Sequence, residues 1–226
     1  MSTVADVMTA IQTNDIDTLK SLLATQPELA GERDGNGNSP LLMSTYYGRS
    51  EMIHLILGLG VRPNIFESSA AGLTRNLEIL LKDNPSLVSQ KSHDGWTALH
   101  LAAFFGHQDL VRILLDAGAS MLTISNNNEA NLPINAAAAG RRNAVVRVLV
   151  ERGCPPDARA SDAGYTALHL AANNGNVELI SFLLESGADR TLKTGKGDTA
   201  YDLAVKQSQT TAAEMLADTA RSASAI

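Results

Sequence analysis

Apolar residues between positions 94 and 121 fall into two helical stripes separated by a glycine. Leu99, Ala102 and Ala103 share one face of a helix that opens at Thr97, and the small alanines let a neighbouring helix approach closely. Gly106-His107 ends that helix, as a glycine in the left-handed conformation commonly does. Leu110, Val111, Leu114 and Leu115 then recur at i, i+3/i+4 spacing, which predicts a second helix with one buried stripe, and Gly118 stops it. Such a pair has too little core to fold alone, so its burial must come from stacked neighbours.

The pattern is periodic. Thr97-Ala98-Leu99-His100-Leu101-Ala102-Ala103 returns letter for letter as Thr166-Ala167-Leu168-His169-Leu170-Ala171-Ala172, 69 positions downstream. Gly48, Gly72, Gly106, Gly140 and Gly175 form a ladder spaced by 24, 34, 34 and 35 residues. Each is followed by a trio of helical positions: Leu55-Ile56-Leu57, Ile79-Leu80-Leu81, Ile113-Leu114-Leu115, Arg147-Val148-Leu149 and Phe182-Leu183-Leu184. These spacings predict a repeat array, an architecture that presents an extended surface.

The string Asp-Gly-x-Thr-Ala-Leu-His-x-Ala-Ala-x-x-Gly-His at 94–107 resembles the ankyrin repeat. It recurs as Ala163-Gly164-Tyr165-Thr166 through Gly175, followed by Glu185-Ser186-Gly187-Ala188-Asp189. The likeness covers nearly the whole chain, which also resembles small stand-alone bacterial ankyrin-repeat proteins. It implies an all-α ankyrin-repeat solenoid of about seven helix–turn–helix units, with short β-turn fingers and a concave partner-binding face. The expected single array is 1–220, with units 1–33 (an N-terminal cap), 34–64, 65–90 (a short unit lacking its finger), 91–124, 125–158, 159–192 and 193–220 (a C-terminal cap). A flexible tail, 221–226, follows.

Departures from the pattern are informative. The 125–158 unit reads Leu132-Pro133-Ile134-Asn135 where the tetrad stands, so it lacks the threonine cap and the histidine. Gly60 precedes Ile65 by only five residues, and Phe66 takes the place expected for the tetrad histidine. The 1–33 and 65–90 units both close with Pro-x-Leu, at Pro27-Glu28-Leu29 and Pro85-Ser86-Leu87. Two readings stay open: a second cap-like unit inside the array, with a notch near residue 64 and altered curvature, or a loop deletion with undisturbed stacking.

The resemblance implies that the two residues before each helix-ending glycine face the groove, and that the residue before each tetrad lies on a finger. The groove pairs are then Gln12-Thr13, Tyr46-Tyr47, Ala70-Ala71, Phe104-Phe105, Ala138-Ala139, Asn173-Asn174 and Lys206-Gln207, with Asn38, Trp96, Asn131, Tyr165 and Asp198 on fingers. Six of the nine aromatic residues occupy these positions. The candidate partner-binding set is therefore Tyr46, Tyr47, His93, Trp96, Phe104, Phe105, Tyr165, Asn173 and Asn174, since aromatic side chains anchor protein interfaces. The other reading has the same rings packing on a neighbouring unit and sealing the array. Thr97, His100, Thr166 and His169 form a structural tetrad, with each imidazole bonded to neighbouring backbone.

Composition narrows the chemistry. A net charge of −6 argues against nonspecific nucleic-acid binding. No apolar stretch reaches membrane-span length, and Met1 to Asp17 holds no basic cluster of a secretory signal. The one cysteine, Cys154, excludes an intramolecular disulfide and fits a cytoplasmic setting better than an oxidising one. No histidine pairs with another or with Cys154 at ligand spacing, and no nucleophile–base constellation appears, so no catalytic residue, metal or cofactor is assigned. Arg141-Arg142 reads as a short solvated basic spot. The expected function is a non-enzymatic scaffold or adaptor for an unidentified protein partner, without nucleic acid or membrane. The alternatives are a regulatory or inhibitory subunit of a separately encoded enzyme, or a homodimer through the aromatic groove, with a monomer favoured over a homodimer.

Overall fold

In a computed structural model, helices come in seven consecutive pairs, and no β-strand appears among the described residues, 2–93, 95–126, 131–161 and 164–217. Asp94, Ala163 and the 221–226 tail, all used in the sequence reading, lie outside them. The chain divides into two compact units, Met1–Leu87 and Val88–Ile226.

The first unit holds α1 (Val4–Thr13), α2 (Ile16–Thr25), α3 (Pro40–Tyr46), α4 (Ser50–Gly58), α5 (Ile65–Ala71) and α6 (Thr74–Asp83). Val7, Ile11, Leu19, Leu41 and Ile56 are fully buried and form its core. The first helices of the pairs stack α1 on α3 on α5, and α2 packs on α4. Comparable packing is missing between α4 and α6. Their connection explains this: Leu59–Asn64 join α4 to α5 with no finger turn. An apolar cleft of about 410 Å³ remains, lined by Leu57, Pro63, Leu73 and Ile79 beside Asn76. The Pro-x-Leu endings both form short 3-10 helices, Pro27–Ala30 and Pro85–Ser89.

The second unit holds α7 (Ala98–Phe105), α8 (Gln108–Asp116), α9 (Pro133–Ala139), α10 (Asn143–Glu151), α11 (Ala167–Asn173), α12 (Val177–Glu185), α13 (Ala200–Lys206) and α14 (Thr210–Leu216). Here α7, α9, α11 and α13 stack in order, as do α8, α10, α12 and α14. Ala102, Ala103, Ala137, Ala171, Ala172 and Ala204 are fully buried, so the first helices meet through methyl groups. Arg147 lies 4.3 Å over the Phe182 ring and bonds Glu178, joining α10 to α12.

Three fingers share one hydrogen-bond scheme, while the finger before α9 closes over a longer span, Ser125 N–H donating to Asn131 O. Asp34 N–H donates to Asn38 O, Ser92 N–H to Trp96 O, and Thr194 N–H to Asp198 O, at 2.8–2.9 Å. Just beyond the finger, Ser39, Thr97, Thr166 and Thr199 cap the next helix with a side-chain oxygen, whereas Leu132 before α9 has none to offer. The residue at the third helical position then does two jobs. His100 Nδ1 accepts from Thr97 N–H at 3.3 Å and meets Thr97 Oγ1 at 2.8 Å. Its Nε2 lies 3.0 Å from the Asn131 carbonyl of the next finger. His169 repeats this with Thr166 N–H at 3.2 Å and the Leu192 carbonyl at 3.0 Å. A ring that accepts at Nδ1 and meets a carbonyl at Nε2 is the neutral Nε2–H tautomer.

Two expectations about this position are corrected. The 125–158 unit lacks a histidine but not its function: Asn135 Oδ1 accepts from Leu132 N–H at 3.3 Å, and its Nδ2 donates to the Tyr165 carbonyl at 2.9 Å. An amide, like neutral imidazole, carries an acceptor and a donor at opposite ends. In the short unit the equivalent residue is Glu67, not Phe66, because Asn64 is the N-cap. Glu67 Oε2 accepts from Asn64 N–H at 2.8 Å, while its Oε1 accepts from Arg33 at 2.7 Å. Glu67 is 3% exposed, and the Arg33 guanidinium at 2.7 Å is its ion-pair partner.

Burial holds the His169 imidazole below its ordinary pKa, with Arg159 adding to the effect. The unfolded chain therefore binds this proton more readily than the folded one. The stability that neutral His169 contributes is complete above about pH 6.5 and is lost as pH falls through the lower folded value. We predict that His169→Asn retains the fold, costs about 1 kcal/mol or less, and flattens the decline in urea-unfolding stability below pH 6.5. His169→Ala should cost about 2–4 kcal/mol, from the lost cap and a buried carbonyl left unpaired. An unchanged acid limb in His169→Asn would dismiss His169 as its source.

Candidate functional site

The candidate aromatic residues fall in both units. In Met1–Leu87, Tyr46 ends α3 and Tyr47 follows it, 42% and 44% exposed. Arg49 stands 5.8 Å from the Tyr47 ring and donates to the carbonyls of Ile11 and Gln12 at 3.3 and 3.2 Å. Those carbonyls belong to the last turn of α1, where a cation complements the helix dipole.

In Val88–Ile226, four rings form a row. Trp96 meets Phe104 edge-on at 5.6 Å, Phe104 meets Phe105 edge-on at 5.2 Å, and Phe105 stacks on His107 at 6.5 Å. Trp96, expected at an exposed finger position, is instead 8% exposed. The turn from Ser92 to Trp96 folds its indole down onto Phe104 and His100, whose ring lies 5.7 Å away. Phe104 and Phe105 are half-buried rather than exposed. Tyr165 is 40% exposed and rests edge-on against His169 at 6.0 Å. His93 is exposed, while Asn173 and Asn174 are half-buried at the end of α11.

The turn after α9 departs from the glycine ladder. Gly106 and Gly175 are left-handed, at φ 91° and 64°. Gly140 is not: its φ is −73°, and Arg141 takes the left-handed place at φ 59°. Close approach explains the shift, since a Cβ on Gly140 would stand 2.5 Å from the Phe104 carbonyl oxygen. Counted from the left-handed residue, the two preceding positions are therefore Ala139-Gly140, one residue beyond the pair expected. The solvated basic spot is also corrected. Arg142 Nε donates to the Phe104 carbonyl at 3.0 Å, and Arg141 Nη2 donates to the Asn174 carbonyl at 2.8 Å. Both side chains stay exposed while bridging to neighbouring helix ends.

Cys154 is buried, and desolvation pushes its thiol up to about 11. Among the described residues, no group of three His, Cys, Asp or Glu side chains is placed to hold a metal ion. Likewise, no helix there is long and apolar enough to cross a membrane. Signals for Glu67 and the arginine pair were present in the sequence as an Asn-x-x-Glu capping box and as two cations at a helix turn.

Paired helices stacked through small residues, with third-position side chains tied to the following finger, define a helical repeat protein. The family model for ankyrin repeats (3 copies) matches residues 67–160 and 134–224, and the chain belongs to that family. Ankyrin repeats as a class mediate protein–protein interaction. The chain is 34% identical to Tyrosine-protein kinase Shark of Drosophila melanogaster over 61% of this chain and 14% of that protein. It is 30% identical to E3 ubiquitin-protein ligase XBAT32 of Arabidopsis thaliana over 87% of this chain and 39% of the ligase. Nuclear factor NF-kappa-B p105 subunit of Gallus gallus is 28% identical over 88% of this chain and 22% of that protein. The chain thus spans less than two fifths of each. These relatives are animal and plant proteins and lend nothing to the bacterial likeness.

Gly140→Ala should lower stability by about 1–3 kcal/mol, through overpacking against the Phe104 carbonyl. An unmoved urea midpoint would show that α7 and α9 part freely. Native Cys154 should resist a disulfide reagent at pH 8, where about one thiol in a thousand is ionised. Labelling as fast as in the unfolded chain would contradict its burial.

Proposed function

We propose that this chain is a non-enzymatic interaction module that binds a protein partner through the first-helix turns and fingers of Val88–Ile226. The observation that carries the reading is the row of rings at the α7 turn, with Phe105 half-buried, together with Tyr165, 40% exposed on a later finger of the same unit. Tyrosine and phenylalanine present large rigid surfaces that lose little conformational entropy on binding. Trp96 is buried and braces Phe104, which braces Phe105 in turn, so the proposed contact residues are Phe105, Tyr165, His93, Asn173 and Asn174. Tyr46 and Tyr47 form a second, separate aromatic contact in Met1–Leu87. The partner is a protein rather than nucleic acid or membrane, and the module acts in the cytoplasm as a monomer.

A second reading has a specific source. Two of the relatives are named as a kinase and a ubiquitin ligase, and the chain matches only part of each. Regulation or targeting of an enzyme is therefore the second reading, and a separately encoded enzyme is one form of it.

The test is affinity capture from native lysate with wild type and the Phe105→Ser/Tyr165→Ser double variant, followed by binding of the purified prey. Loss of the prey by about tenfold or more, with stability lowered by less than about 2 kcal/mol, is the expected outcome. Retained prey, or a variant that unfolds, would assign these rings to sealing the repeat stack.

A further inference from the structure

The turns joining first to second helices in Val88–Ile226 carry an unbalanced charge. Residues 104–108, 139–143, 173–177 and 206–210 include Arg141, Arg142 and Lys206 but no aspartate or glutamate. Lys206 is neutralised by Asp198, 2.7 Å from both carboxylate oxygens. Arg141 and Arg142 have no ion-pair partner among the described residues. Two acids lie just past these turns: Glu178 is taken up by Asn143 and Arg147, and Asp109, in the first turn of α8, forms no ion pair with Arg141 or Arg142.

Geometry fixes where these two guanidinium groups stand. Arg142 crosses Gly106, where an added Cβ would lie 2.8 Å from its Cδ, and donates through Nε to the Phe104 carbonyl. Its head is thereby held beside the Phe104–Phe105 pair. Arg141 turns the other way, to the Asn174 carbonyl at the end of α11. Each spends one donor on a carbonyl, and a guanidinium has five, so a bidentate edge remains for a carboxylate. Arg141 also holds a left-handed conformation that a residue with a Cβ adopts only at a conformational penalty. The corresponding places after α7 and α11 are glycines, and the one after α13 is the small polar Ser208 at φ 56°. A strained residue whose charge is unmatched by the protein itself points to a role outside folding.

We propose that the turns of α7, α9 and α11 form a docking surface for an acidic polypeptide segment. Carboxylates of that segment pair with Arg141 and Arg142, and a neighbouring aliphatic or aromatic side chain covers Phe105. This rests on the protein-binding reading above and specifies the chemistry of the partner at the same surface. Complementary charge selects the partner and its register, and the apolar contact supplies area.

A displayed library of random short peptides, sorted against the purified full chain, tests it. The expected result is enrichment of Asp and Glu next to Leu, Phe or Trp. Affinity of a synthetic enriched peptide should fall about tenfold or more in Arg141→Gln/Arg142→Gln, and should weaken with added salt. Arg141→Gly supplies the residue the turn favours, so it should keep or raise the thermal midpoint while weakening the same peptide. A midpoint lowered by about 5 °C or more with binding intact would make Arg141 structural and overturn the proposal. Peptides without acidic bias that still require Phe105 would overturn it and leave the protein-binding reading standing. Tighter, arginine-dependent binding of a single-stranded oligonucleotide would overturn it in favour of nucleic acid. An empty selection, or peptides indifferent to Phe105→Ser and to the arginines, would overturn both.

Discussion

The repeat stack of Val88–Ile226 depends on one bifunctional side chain at the third position of α7, α9 and α11. That group must accept from its own N-cap and donate to the next finger along the chain. His100, Asn135 and His169 each do so, and they tie α7, α9 and α11 forward in unbroken succession. Carboxylates at the same position can only accept. Asp6 and Asp202 bond back to Thr3 and Thr199, and Glu67 recruits Arg33 of the preceding finger. Among the described residues, none of the three reaches a following finger. Hydrogen-bond chemistry at one position therefore sorts helices that are locked to the next repeat from helices that are not.

Periodicity makes the helix pairs legible, because a buried stripe at 3.6-residue spacing depends only on local pattern. It fails by one residue where tertiary contact shifts the register. Gly140 belongs to the ladder by spacing, yet close approach to the Phe104 carbonyl gives it a different task and moves the left-handed turn to Arg141. Counting from the missing finger puts Phe66 in the tetrad. Counting from the N-cap Asn64 gives Glu67, so a capping pair is the better ruler than the repeat length. Asn135 looks like a loss only if histidine itself is required, whereas the constraint is one acceptor and one donor across a side chain.

Exposure is the least legible property of the candidate surface. Trp96 and Tyr165 occupy equivalent finger positions, and only one is buried. The end of the adjoining helix makes the difference. Trp96 has the Phe104 ring to pack against, while Tyr165 has Asn173 at the equivalent place, which offers no ring. An aromatic residue at a finger is thus a contact or a wedge depending on a partner seven or eight residues away. That dependence is invisible to a rule that assigns each position by itself.

The arginine pair shows the same limit for charge. A net charge of −6 describes how the whole chain repels or attracts a polyanion at a distance, and it weighs against nonspecific capture of nucleic acid. At contact distance the field is set by groups within about a Debye length, roughly 10 Å. The turns of α7 to α11 themselves carry Arg141 and Arg142, neither in an ion pair among the described residues, with Asp109 and Glu178 in the helices just beyond. The three forward ties hold the same three helices, so the guanidinium groups and rings stand on a framework already ordered before any partner arrives. A surface built this way discriminates by where its charges are fixed rather than by how many the protein carries, which is why an acidic chain can present an edge suited to acidic polypeptides.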